Sequence, residues 1–120
     1  LFDDKKNIKD NLTHFAEVFL RFLYQPATIN LFKILISESS RFPHLLDNLL
    51  RKEQGPFTVE LVNFLKMNIK TDDPELAASF FIGMLKEPHF WPMMLGFTKK
   101  PSPKKGLIND AVEIFLRAYK

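Results

Sequence analysis

Cysteine is absent from all 120 residues. That removes disulfides, thiolate metal sites and thiol nucleophiles, and it fits a chain kept in a reducing, cytoplasmic compartment. Glycine is scarce, and the four present do not form the G-x-G-x-x-G or G-x-x-x-x-G-K-[ST] loops that cradle phosphates. No apolar run approaches the roughly 20 residues that span a bilayer, so no membrane partner is expected. Leu1-Phe2 meets Asp3-Asp4-Lys5-Lys6 at once, unlike a secretory leader, and a start on Leu reads as a fragment or processed form. Charge of one sign is also modest, at a net +3. Lys99, Lys100, Lys104 and Lys105 flank a proline-rich loop; they read as solvated, with an anion or nucleic-acid contact as the alternative. A basic stripe of the kind that binds nucleic acid is missing.

What is there is apolar and helical. Hydrophobic residues make up 46% of the chain, enough for one globular domain over residues 1–120 that buries roughly two-thirds of its unfolded surface. No segment alternates with a period of two. From Asn7 to Tyr24, Ile8, Leu12, Phe15, Phe19, Phe22 and Leu23 share one helical stripe, with Asn7 as cap, Asp10 in the first turn, and Thr13, His14, Glu17 and Arg21 on a wet side. Pro26 opens a second helix to Ser39, apolar nearly all round and therefore expected to be central. A third runs from Pro43 to Lys66 with Leu45, Leu46, Leu49 and Leu50 on one side; Gly55-Pro56 should kink or divide it. Asp73 caps a fourth beginning at Pro74, which Pro88 and Pro92 should interrupt, leaving Phe90 to Gly96 as a bent continuation. Ser102-Pro103 repeats the cap-and-proline start for a last helix to Tyr119. The fold class is all-α, with five or six helices.

Candidates for chemistry are thin. Asp72 and Asp73 are adjacent carboxylates, but an Asp before a helix-opening proline is a cap first. His14, His44 and His89 stand apart from one another, without zinc-like spacing, and no serine lies in a G-x-S-x-G turn. No enzyme, metal or cofactor is expected.

Thirteen phenylalanines carry more information. Phe15, Phe19, Phe22, Phe32, Phe57, Leu61, Phe64, Met84 and Trp91 are placed to point inward from several helices. They make either an ordinary core or the lining of a pocket for a small apolar ligand, with Tyr24, Asn30, Asn63 and His89 as orienting polar groups. The last two helices are apolar on two sides. Leu76, Phe80, Gly83 and Met84 oppose Ala78, Phe81, Ile82 and Leu85; Leu107, Ala111, Ile114 and Ala118 oppose Ile108, Val112, Phe115 and Tyr119. Pairing of two copies through Leu76, Phe80, Gly83, Leu107, Ala111, Ile114 and Ala118 into an intermolecular four-helix bundle would cover both sides. The other reading is that both helices are simply central.

From Gln25 to Lys120 the chain resembles the C-terminal domain of TetR-family transcriptional regulators. The resemblance rests on the order and spacing of Ser39-Ser40-Arg41-Phe42-Pro43, Gly55-Pro56, Asp72-Asp73-Pro74-Glu75-Leu76-Ala77-Ala78 and Ala111-Val112-Glu113-Ile114-Phe115-Leu116-Arg117-Ala118-Tyr119. It implies a homodimer through the last two helices and a pocket for a small apolar effector among the middle ones. It also implies a repressor that meets operator DNA through an N-terminal helix-turn-helix domain outside these 120 residues, whose spacing the effector changes. A stand-alone helical carrier or protein-interaction module is the alternative. Only Met67 to Thr71 separate Lys66 from Asp72, shorter than the family pattern, which reads as a stretch omitted near Lys66-Met67 or, as the alternative, a real shortening.

Overall fold

A computed structural model of the chain describes residues 1–97 and 104–119, without the side chains of 45, 46 and 49–54. Among the described residues there are five helices and no strand: α1 (Ile8–Leu23), α2 (Pro26–Glu38), α3 (Pro43–Asn68), α4 (Pro74–Met94) and α5 (Leu107–Ala118). α4 packs against all four others, and α1 closes the bundle by packing on α5. The all-α class follows from the sequence as expected.

α1 begins where Asn7 Oδ1 accepts the Asp10 N–H at 2.7 Å. It buries Leu12, Phe15, Ala16, Phe19, Leu20 and Leu23 while His14, Glu17 and Arg21 stay exposed, the division its periodicity demands. Asn11 is buried as well. Its Oδ1 accepts the Asp3 N–H at 2.7 Å, and its Nδ2 donates to the carbonyls of Asp3, Lys6 and Asn7 at 2.9, 3.2 and 3.1 Å. This amide pins the N-terminal segment to α1, and Phe2 then stacks on Phe64 at 4.3 Å and on Phe15 at 5.6 Å.

α2 corrects the expectation of a central helix. Only Thr28, Phe32 and Leu35 are buried, a narrow i, i+4, i+7 stripe, and Ile34 is 56% exposed. An outer helix has one neighbour-facing stripe whatever its composition. Gly55-Pro56 does not divide α3, which is one element. Pro56 is exposed, and a proline costs the helix only the one backbone bond it cannot donate. α3 also passes through Lys66 and Met67 to Asn68, where the Ile69 N–H caps the Leu65 carbonyl at 3.1 Å. The expected stripe of Leu45, Leu46, Leu49 and Leu50 lies outside the described side chains.

α4 starts as expected: Asp73 Oδ1 accepts the Leu76 N–H at 3.0 Å, with Pro74 in the first turn. Pro88 and Pro92 do not interrupt it, since both lie inside the helix. It ends at Met94, and Gly96 just beyond has a φ of 75°, a conformation that favours glycine. There the Phe97 N–H reaches the Pro92 carbonyl at 2.8 Å and the Gly96 N–H the Met93 carbonyl at 3.3 Å, a Schellman closure. α5 begins at Leu107 rather than Pro103. Gly106, at φ 87°, turns the backbone left-handed immediately before it, so residues 104–106 form a turn. The Ser102-Pro103 cap, like Lys99 and Lys100, lies outside the described residues.

Candidate functional site

The aromatic set divides by depth. Phe15, Phe19 and Leu61 are fully buried. Phe15 meets Phe19 at 6.0 Å, Phe57 at 6.1 Å and Phe81 at 6.2 Å, and Phe81 meets Phe115 at 5.1 Å, so these rings pack on one another. Phe22, Phe57 and Phe64 are half-buried at the margin of this cluster, with Phe22 and Phe57 5.1 Å apart. Phe32 of α2 is buried edge-on to Phe90 of α4 at 5.8 Å. Met84 lines a groove on the other side of α4, and Trp91 is 47% exposed, so these two stand apart from the inner group.

Around the turn of α4 from Lys86 to Phe90 lie three polar groups. The Tyr24 ring stands edge-on to His89 at 6.3 Å, and its hydroxyl is shut off from solvent without a hydrogen-bond partner. Burial pushes that phenol up to about 12. The Lys86 ammonium sits 4.5 Å over the Phe90 ring; burial, which outweighs the neighbouring Glu87 carboxylate, holds its pKa below the ordinary lysine value. His89 Nε2 accepts the Lys104 N–H at 3.0 Å, which ties the turn before α5 to α4. Asn30 and Asn63 are exposed.

The outward sides of α4 and α5 are apolar. Leu76, Phe80 and Ile114 are 47%, 51% and 54% exposed, while Ala78, Phe81, Leu85, Val112 and Phe115 behind them are buried. Gly83 and Leu107 are half-buried and Ala118 is exposed; Ala111 is buried against the chain's own core. Between the helices runs an open groove of about 540 Å³, floored by Gly83, Met84, Ala111 and Ile114, with Glu87, Asp110, Lys104 and Lys105 on its rim.

Among the described residues no three His, Asp or Glu side chains stand together as a metal site. Asp73 is engaged as a cap, and no described helix is long and apolar enough to cross a membrane. Residues 10–120 match the family described as AefR-like transcriptional repressor, C-terminal domain. The chain belongs to that family. It is therefore a TetR-type C-terminal domain of a transcriptional regulator, and the Arg41-Phe42-Pro43 turn, the Asp73-Pro74 start and the closing helix all lie inside the matched span. No curated protein and no solved structure matches the chain.

Within this regulator domain, the sequence pattern missed Asn11 and Lys86. A buried Asn on an apolar stripe looks like a tolerated polar position, and nothing local reveals that its partners lie in residues 3–7. Lys86 sits two residues before Pro88 and reads as a surface lysine until α2 is brought against α4.

Proposed function

We propose that this domain senses a small, largely apolar effector and forms the homodimer of a TetR-like repressor, which the effector releases from operator DNA. The operator would be read by an N-terminal helix-turn-helix domain outside these 120 residues. The outward apolar face of α4 and α5 carries the reading: Leu76, Phe80 and Ile114 are large side chains left in water by a fold that buries the opposite side of both helices. Exposed apolar residues gathered on one face mark an interaction surface. A two-fold axis along it supplies the missing cover with a second copy of the same surface. The half-buried Phe22, Phe57 and Phe64, with Phe32 and the deeper Phe15, Phe19 and Leu61, are the proposed effector-facing group; Met84 and Trp91 fit the dimer side better. No enzymatic step is assigned.

Light scattering at micromolar concentration should give twice the 14.0 kDa chain mass. A monomer at that concentration overturns the dimer. Binding of about one N-phenyl-1-naphthylamine, a neutral dye that brightens in apolar surroundings, should accompany it; absence of binding overturns the pocket.

A further inference from the structure

We propose that the effector is an amphiphilic anion, an apolar body with a single acidic head. The Lys86 ammonium and the Tyr24 hydroxyl hold that head where α1, α2 and α4 meet. This rests on the effector-binding reading above and narrows it to one chemical class.

Two groups at one place are short of partners. Tyr24 ends α1, and its hydroxyl is closed to solvent with nothing to bond to. A buried hydroxyl without a partner forfeits the hydrogen bonds it had in water, and such groups are rare in folded chains. Lys86 lies half-buried one turn before Phe90, over whose ring its ammonium rests at 4.5 Å. No carboxylate forms an ion pair with it among the described residues. A ring face attracts a cation but does not neutralise it. Tyr24 and Lys86 reach the same turn of α4, since Tyr24 meets His89 and Lys86 meets Phe90. α2 closes the third side through Phe32, edge-on to Phe90 at 5.8 Å.

The chemistry of the three polar groups selects the ligand. The phenol stays protonated and donates, and the ammonium donates only. His89 Nε2 is taken by the Lys104 N–H, which leaves the ring proton on Nδ1 and a further donor. A site of donors with one positive charge suits a group with several lone pairs and one negative charge. A carboxylate, sulfonate or phenolate meets both needs. A cationic ligand meets like charge at Lys86, and a neutral ligand gives the ammonium no counter-charge beyond the Glu87 carboxylate, which lies outside ion-pair distance. The Phe32 and Phe90 rings are then walls for the apolar body.

The test compares two dyes of nearly the same shape on the 120-residue chain. 8-Anilinonaphthalene-1-sulfonate carries the anionic head that N-phenyl-1-naphthylamine lacks. The sulfonate should bind tighter by roughly tenfold or more, the scale of a hydrogen bond to a charged group. Lys86→Met should abolish that preference, Lys86→Arg should keep it, and Tyr24→Phe should reduce it several-fold. Affinity for the neutral dye should hold in all three. Lys86→Met and Tyr24→Phe each remove a polar group that burial disfavours, so melting temperatures should hold or rise, and either variant alone is decisive. Neutral-dye binding with no sulfonate preference in the parent, or with a preference that survives either substitution, overturns the anionic head and leaves the effector reading standing. That is also the outcome if the sulfonate settles on the outer face of α4 and α5. Binding of neither dye overturns both readings.

Discussion

At the scale of single residues, Asn11 shows how one buried amide replaces a longer piece of core. Its four hydrogen bonds hold residues 3–7 against α1 and seat Phe2 between Phe15 and Phe64. Asn11→Ala leaves the Asp3 N–H without its acceptor and the Lys6 carbonyl without its side-chain donor. The expected loss is about 1–3 kcal/mol in urea unfolding, with faster amide exchange at Asp3. Tyr24 gives a pH dependence whose sign follows from its direction of shift. Its phenol titrates at about 12 in the fold against 10.0 free. Between those values the unfolded chain has lost a proton that the folded chain keeps, so stability falls as pH rises through the window. Absorbance at 295 nm should show a phenol ionising near pH 12 that Tyr24→Phe removes, and the alkaline loss of stability should shrink with it.

At the scale of elements, local chemistry and tertiary contact contribute separately. Asp73 and Asn7 cap α4 and α1 through bonds of 3.0 and 2.7 Å, and both caps were legible because capping involves only neighbours in sequence. Asp73→Ala should cost about 1 kcal/mol, read as a lower urea midpoint with an unchanged slope. Proline was the poorer guide. Pro56, Pro88 and Pro92 all lie inside helices, because each removes one bond while the packing of the remaining turns keeps the helix intact. Pro88 is exposed and sits beside the half-buried Met84, whose carbonyl loses its donor. Pro88→Ala should restore that bond and raise stability by about 1–3 kcal/mol, after the smaller loss of unfolded-state restriction; a lowered midpoint would mean the proline shapes α4 for its neighbours. Gly106 set the true start of α5, a left-handed residue that a cap-and-proline motif upstream obscured.

At the scale of the whole molecule, the question is what covers α4 and α5. α4 touches every other helix and still presents Leu76 and Phe80 to water. Phe80→Glu with Ile114→Glu places charges on the outward face without touching the buried Phe81 or Phe115. Two copies of that face then oppose like charges, a cost of about 3 kcal/mol or more and at least ~100-fold in association. The variant should scatter light as a folded monomer with a helical circular dichroism spectrum like the parent's. An unchanged dimer would move the interface elsewhere.

The sequence by itself determined the helical class, the caps of α1 and α4, and that α4 and α5 are apolar on two sides. Each of these depends on periodicity or on contacts within a few residues. Tertiary structure alone decided the rest. It made α2 an outer helix although its composition suits an inner one, because burial depends on what stands opposite. It drew Phe15, Phe19 and Leu61 into close packing and left Trp91 outside, a choice that residue type does not make. It brought Tyr24 of the first helix end to the same turn of α4 as Lys86, 62 positions away in the numbering of the chain. Separations of that size carry no local preference, so only the packing of α1, α2 and α4 together creates the site.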